Sequence, residues 1–381
     1  MKNLKKFTAA VLAAAMLAVF AGCGDQSWSY KTDTVSLSAG TYIYNLLNAY
    51  YEAYDLVESP DEAKDILNEE VTDSDDNTKT VEQYSYDKAD ESTRKMIAVE
   101  DFFNTYGLEL EQTEYDSALS YTTQLWNNIR LQFEKYGISQ DSFDYCYAEY
   151  TVKSGQVFEY LYGKDGDEYV TDEELTDYYK NKYEGYAYFT LSMADMDEEG
   201  NSVAKSDEEF EKAQKNFDEY VKMINKNGKS YEDVVLQYAS DYELTTDPTY
   251  SGSVEKEDNS KLPIEIIDTY QSLKEGEAAM VKSGEDATTL FYFVYKPVTD
   301  DIVDFLEEDS DSDSVSEVET VDQASSDVYV YPLKSSYSHY SLLNEMKGDD
   351  FDKYLLAHAD SLKISKNDNV IKSFKPKMFV D

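Results

Sequence analysis

Apolar residues recur at helical spacing through the first half of the chain. A short alternating stretch begins at Val35, and residues 43–57 then place their apolar side chains along one helical stripe. Residues 119–133 repeat this pattern, and Gly137 follows them where a left-handed helix end is expected. We therefore predict a module of four helices with short joints over residues 35–165.

The pattern changes class after residue 165. Thr171 and Glu174 form a capping box that opens a short helix, and residues 186–193 alternate aromatic and small side chains as a strand does. Two helical stripes and the turn at 274–277 precede a last apolar strand at 290–298. These elements predict a compact α+β domain over residues 166–299.

The chain beyond this domain divides into an acidic stretch and an ordered end. Residues 300–327 are rich in Asp, Glu and Ser and contain almost no aromatic side chains, so they bury too little surface to offset the entropy of ordering. We predict a disordered acidic insert there. Residues 342–359 again have a helical pattern, within an ordered C-terminal segment over residues 328–381.

The first residues have the pattern of an export signal. Three lysines precede an uncharged run from Phe7 to Phe20, which is too short to span a bilayer unaided, and Gly22 and Cys23 follow it. The Gly22-Cys23 pair resembles a lipoprotein cleavage box. We predict a signal peptide over residues 1–22, a lipid on Cys23 and a lipidated tether over residues 23–34. Secretion with a free Cys23 is the alternative.

Charge and cysteine content narrow the function classes. The formal net charge of the 381 residues is −45, which disfavours nucleic acid and anionic lipid surfaces as partners. Cys146 is the only cysteine besides Cys23, so an internal disulfide is not expected after lipidation. We predict that Cys146 is a packed thiol and that stability comes from apolar cores.

Three short stretches resemble one family when they are taken in order. They are residues 170–175, residues 228–241 with their Ser-Asp pair, and residues 273–278 with a Gly-Glu turn. Together they resemble the SurA/PrsA-type extracytoplasmic chaperones that contain a parvulin-type prolyl isomerase domain. The resemblance implies an α+β fold in which a helical SurA N-terminal-like chaperone module, completed by the C-terminal segment, carries an inserted parvulin-like domain.

The resemblance also implies positions for a prolyl isomerase site. Active parvulins have two facing core histidines, an acidic or thiol group and an apolar shelf. Here the first-strand position falls at Tyr186 or Tyr188, the last-strand position falls near Phe293, Leu262 stands at the shelf and Asp241 ends the Ser-Asp pair. Because the histidines are missing, we expect a degenerate site, with an active isomerase that uses substituted residues as the alternative.

No cofactor or metal is predicted. Asp195 and Asp197 resemble the start of a calcium loop, but its closing glutamate is replaced by Ser206, so a plain turn is expected. The only histidines, His339 and His358, have no Cys or second His at ligand spacing and are expected to be solvated or capping residues.

The chain contains 36 tyrosines, and most of them are expected in cores or at core rims. The functional interpretation is that surplus tyrosines line a cradle for unfolded chains, with candidates Tyr42, Tyr50, Tyr147 and Tyr150. The hypothesis is an extracytoplasmic chaperone that binds unfolded or newly exported polypeptides and is held at the membrane by its lipid. The rivals are an active isomerase, a substrate-binding transporter lipoprotein and a tyrosine-rich adhesin.

Overall fold

A computed structural model describes residues 27–60, 65–73, 76–303, 328 and 330–380. The predicted signal peptide and Cys23 lie outside the described residues, as does residue span 304–327 of the predicted acidic insert. Within the described ranges, no helix is long and apolar enough to cross a bilayer. The chain divides into two compact units, the first extending to Tyr169 and resuming at Gly348, and the second spanning Val170–Lys347.

The first unit is mainly helical. Its strands are β1 (Trp28–Lys31), β2 (Ser36–Ser38), β3 (Glu70–Thr72), β4 (Thr78–Thr80) and, near the C-terminus, β11 (Ser365–Lys366). Its helices are α1 (Ala39–Asp55), α2 (Val81–Tyr106), α3 (Gln112–Tyr136), α4 (Gln140–Asp144) and α5 (Tyr150–Tyr162), with a π-helical turn at Tyr145–Glu149. The helix α11 (His339–Ser361) contains the boundary between the units, and α12 (Asp368–Ile371) and a 3-10 turn (Pro376–Phe379) follow it.

Helices α1 and α2 pack together to form the centre of this unit. Ile43 and Leu46 of α1 and Ile97 of α2 are fully buried there. The buried amide of Asn45 donates to the Thr93 hydroxyl at 3.0 Å, which satisfies one polar group of this contact. Phe379 packs into the same core, so the end of the chain completes the helical unit.

The structure corrects the predicted tether. Residues 28–31 form the central strand of a three-stranded sheet ordered β11-β1-β2, and Ser29 and Tyr30 are buried. This strand pairs with residues far away in sequence, since Lys31 lies opposite Ser365. A polar stretch can therefore be ordered by pairing with other strands, even though its own sequence has no apolar pattern.

The second unit combines one larger antiparallel sheet with helices. Its strands are β5 (Tyr183–Ser192), β6 (Ala194–Met196), β7 (Ser202–Ala204), β8 (Tyr250–Glu255), β9 (Ala278–Ser283) and β10 (Leu290–Tyr295). Its helices are α6 (Asp172–Lys182), α7 (Asp207–Asn225), α8 (Tyr231–Asp241), α9 (Ile267–Ser272) and α10 (Thr299–Ile302). The four-stranded sheet has the order β8-β5-β10-β9, and the mixture of helices with antiparallel sheets confirms the predicted α+β class.

Two predicted boundaries change in the second unit. Residues 300–303 are ordered rather than part of the acidic insert, because the short helix α10 buries Ile302. Residues 328–347 group with the second unit rather than with the helical module. The physical reason is that Val328 and Val330 are buried in the second unit's apolar core.

A carboxylate fixes the start of α11 against α6 in the second unit. Glu345 accepts hydrogen bonds from Tyr178 at 2.9 Å, Lys182 at 2.7 Å and Tyr183 at 2.5 Å. Burial acts to raise the pKa of Glu345, but these donors outweigh it and lower that pKa below its ordinary value. The ionised form of Glu345 is therefore favoured by folding.

This depressed pKa predicts an acid sensitivity. The stability that Glu345 contributes is present above its unfolded pKa of about 4.3 and is lost as pH falls through the lower folded pKa. Glu345→Gln should lower the free energy of unfolding at pH 7 by about 1.5–3 kcal/mol and remove this part of the acid dependence. Denaturant titrations across this pH range measure both effects. Glu257→Gln, at an exposed turn, should keep the wild-type profile.

Candidate functional site

One side of the four-stranded sheet carries a row of tyrosines. Side chains alternate along β5, so Tyr186 and Tyr188 lie on one side and Ala187 and Phe189 on the other. Tyr188 stacks on Tyr250 of β8 with 5.0 Å between ring centroids, and it lies 6.4 Å from Tyr292 of β10. We call the side that carries Tyr186, Tyr188, Tyr250 and Tyr292 the tyrosine face.

A glycine allows the tyrosine face to be closely packed. Gly252 of β8 lies directly opposite Tyr186 in the sheet register. A Cβ atom at Gly252 would be 3.1 Å from the Tyr186 hydroxyl and 2.8 Å from the Ser336 hydroxyl. The missing side chain therefore makes room for the Tyr186 phenol on this side of the sheet.

An apolar cluster continues the tyrosine face. Leu262, Ile266 and Tyr270 pack with Val254, Tyr292 and Val294, and Tyr186 and Tyr188 border them. The Tyr270 hydroxyl donates to the Gly185 carbonyl at 2.6 Å, which ties helix α9 to β5. Tyr250 of the tyrosine face is 57% exposed, so part of this face is open to solvent, and Ile264, two residues after Leu262 in the chain, is 83% exposed.

Three hydroxyls of the tyrosine face, those of Tyr186, Tyr188 and Tyr292, stay protonated at neutral pH. Burial raises the pKa of Tyr186, Tyr188 and Tyr292 above the ordinary value for a phenol. These groups can donate or accept hydrogen bonds, but they do not act as general bases near pH 7. The face is thus suited to hold an apolar side chain and bond a nearby carbonyl.

The structure separates the four predicted isomerase positions. Tyr188 and Leu262 lie together at the tyrosine face, while Phe293 points to the opposite side and stacks on Phe189 at 4.8 Å. Asp241 also lies away from this face and accepts hydrogen bonds from Tyr220 at 2.6 Å and Gln237 at 2.9 Å. The last-strand residue at the tyrosine face is Tyr292, one position before the predicted Phe293.

Both histidines of the chain lie outside the tyrosine face. His339 Nε2 is 3.5 Å from the Asp172 carboxylate in the second unit. His358 belongs to the first unit, where its Nε2 is 3.0 Å from Asp101 and its ring packs on Phe102 at 4.6 Å. The tyrosine face therefore has no imidazole among its residues.

The tyrosine candidates of the first unit divide by burial. Tyr50 is a core residue, which corrects its prediction as part of an open cradle. Tyr42 is buried as well, but it lines a cavity together with Tyr30 and Tyr86. Tyr150 is half-buried, and Tyr147 is 39% exposed and lies 6.0 Å from the exposed ring of Tyr121. Cys146 is a buried free thiol in the π-helical turn.

The described ranges contain no candidate metal-binding site. Within them, no group of three or more His, Cys, Asp or Glu side chains is arranged to hold an ion. Asp197 instead accepts from the Asn201 backbone at 2.8 Å, and these hydrogen bonds lower the pKa of Asp197. Asp197 thus closes the turn between β6 and β7.

Comparison with known proteins gives limited similarity. No family model matches the chain, and no curated protein matches it. A crystal structure of foldase protein PrsA from Lactococcus lactis is 10% identical with a TM-score of 0.31, over 92% of this chain and 99% of that one. Foldase protein PrsA from Streptococcus pneumoniae is 9% identical with a TM-score of 0.26, over 82% of this chain and 93% of that one.

Proposed function

We propose that the protein is an extracytoplasmic chaperone that binds unfolded or newly exported polypeptides. A lipid on Cys23 would hold it at the outer side of the cell membrane, in keeping with the sequence pattern before that residue. The second unit would be a parvulin-like domain with impaired catalysis. This assignment follows the resemblance of residues 170–175, 228–241 and 273–278 to the SurA/PrsA-type chaperones.

The observation that carries the proposal is the open tyrosine face. Aromatic rings offer large apolar contact at a low cost in side-chain entropy, and their hydroxyls adapt to different backbone partners. Tyr250 leaves part of this surface exposed, and Ile264, two residues after the buried Leu262 in the chain, is also exposed. A surface of this kind suits short apolar segments of many sequences, which is what a chaperone for unfolded chains requires.

Impaired catalysis is proposed because the tyrosine face has no imidazole. An active isomerase with substituted residues remains a second candidate, and one observation favours it. The rings of Tyr188 and Tyr292 lie 6.4 Å apart beside the cluster that contains Leu262, so two phenol donors border an apolar shelf. Such donors could bond the carbonyl of a twisted prolyl amide.

Suppression of aggregation tests the chaperone proposal. The Cys23→Ser chain, which should also leave the membrane fraction after export, is mixed with a chemically unfolded protein while light scattering is followed. We expect delayed aggregation at near-equimolar ratios, and a clearly weaker delay with the double variant Tyr250→Ser and Ile264→Ser. Tyr169→Ser removes an exposed tyrosine of the first unit and is the matched control. A chain that neither delays aggregation nor binds unfolded polypeptides contradicts the proposal.

A further inference from the structure

The first unit contains a groove of about 930 Å³ that the proposed function does not use. Three tyrosines are among its lining residues, namely Tyr30 of β1, Tyr42 of α1 and Tyr86 of α2. The rings of Tyr30 and Tyr42 stack with 5.9 Å between their centroids. This volume lies at the upper end of the range for sites that bury most of a ligand.

Charges of both signs line the groove. Asp87, Asp90 and Glu91 come from α2, and Lys366, Lys372 and Lys375 come from the C-terminal segment. Arg94 and Asp368 also line the groove, so its formal charge is balanced in a chain whose net charge is −45. An acidic ligand is therefore repelled less here than by an average part of this acidic surface.

The carboxylates of the groove already have protein partners. Asp90 accepts from the Tyr30 hydroxyl at 2.5 Å and from Lys366. Asp87 pairs with Lys79 at 3.0 Å. The remaining two pair at longer distance, Glu91 with Lys95 and Asp368 with Lys372, each at 3.5 Å. A cationic ligand would have to compete with all of these contacts.

The donors of the groove are less well satisfied. Tyr42 is only 1% exposed, yet its hydroxyl has no hydrogen-bond partner among the residues that the structure describes. The half-buried Tyr86 and the exposed Lys375 likewise lack a protein partner within the described ranges. Burial raises the pKa of Tyr42 and of Tyr86, so both hydroxyls remain protonated and able to donate. Both tyrosines line the groove, so a ligand there that accepts from their hydroxyls adds hydrogen bonds without breaking any within the described part of the chain.

We infer that this groove binds an extended polypeptide segment that carries an acidic side chain. Backbone carbonyls of the segment accept from Tyr42 and Tyr86, and its carboxylate pairs with Lys375. The volume of about 930 Å³ exceeds what a small carboxylate requires, and Leu356 and Ile371 add apolar contact for neighbouring side chains. The inference rests on the proposed chaperone function and gives it a preference among client segments.

Fluorescence anisotropy with two labelled peptides tests this inference. The peptides are unstructured, share their apolar residues and differ only in Glu against Gln at one central position. The Cys23→Ser chain should bind the Glu peptide several-fold more tightly. Tyr42→Phe keeps the ring but removes the hydroxyl, so it should weaken binding of both peptides about threefold to tenfold. Lys375→Gln should abolish the preference for Glu.

Matched controls separate the groove from general effects. Tyr44→Phe changes a half-buried tyrosine of the same helix outside the groove, and Lys377→Gln removes an equivalent charge outside it. Both should bind the two peptides as the unchanged chain does. Thermal unfolding confirms that each variant is folded.

The outcomes distinguish this inference from the proposed function. Equal binding of the two peptides, or groove variants that match their controls, overturns the groove inference while the chaperone proposal stands. Competition by free glutamate at the affinity of the peptide overturns the polypeptide as occupant. Failure to bind any unfolded peptide, together with no suppression of aggregation, overturns both.

Discussion

The protein should catalyse prolyl isomerisation at least about a hundredfold more slowly than an active parvulin. Rotation about a prolyl bond crosses a barrier of roughly 18–20 kcal/mol, and a catalyst must bind the twisted amide more tightly than the planar one. A positioned hydrogen-bond network contributes a few kcal/mol to this, and about 1.36 kcal/mol is tenfold in rate. The resemblance to parvulins implies two histidines in that network, and neither histidine of this chain lies at the tyrosine face.

A protease-coupled assay with a prolyl peptide measures this rate on the whole Cys23→Ser chain, with an active parvulin as reference. Circular dichroism confirms that the chain is folded. If the phenol hydroxyls account for the residual rate, that rate should fall further in Tyr292→Phe. Tyr295→Phe is the control, because it removes a hydroxyl on the opposite side of the sheet. A rate comparable to that of the reference refutes impaired catalysis and directs attention to Tyr188 and Tyr292.

The helix ends and the sheet of the second unit are largely predictable from the sequence. Gly137 ends α3 with a φ of 93°, as its position after an apolar stripe predicts. Alternation in residues 186–193 predicts β5, because a strand with two different sides has a period of two. Both signals are local, and both survive in the folded chain.

The choice between the two sides of the sheet is not predictable in the same way. β10 reads Leu-Phe-Tyr-Phe-Val-Tyr, with apolar or aromatic residues at every position, so its pattern does not say which side meets helices α7 and α8. The register decides it, since Phe293 lies opposite Phe189 and both are buried in that core. A shift of one residue in the reading exchanges Phe293 for Tyr292, and these two side chains lie on opposite sides of the sheet.

Two further features of the first unit depend on contacts between residues that are distant in the sequence, so the local sequence pattern does not predict them. The first half of α2 shows no apolar stripe in the sequence, because several of the residues that it buries against α1 are small or polar. Examples are Ser85, Ala89 and Thr93. Tyr42 and Tyr50 are equally ambiguous, because a tyrosine can serve a core or a surface and only its neighbours decide which. The number of tyrosines therefore does not indicate which of them face solvent.

Replacing Phe293 should show that the two sides of the sheet have different roles. Phe293 is fully buried and contacts Phe189 in the core of the second unit. Phe293→Ala removes a large side chain from a packed site and should lower the free energy of unfolding by about 3–5 kcal/mol. Tyr250→Ala, at the exposed edge of the tyrosine face, should cost no more than about 1 kcal/mol.

The two tryptophans make this comparison specific to one unit. Trp28 and Trp126 both belong to the first unit, so tryptophan fluorescence follows that unit, while circular dichroism follows helices of both units. In denaturant, Phe293→Ala should bring forward a circular dichroism transition while Tyr250→Ala leaves it in place. Client binding should respond in the opposite order when both variants are compared under conditions where each is folded. A larger loss of stability from Tyr250→Ala than from Phe293→Ala would contradict these roles. It would mean that the side of the sheet proposed to bind clients contributes more to the stability of the fold than the side that contains Phe293.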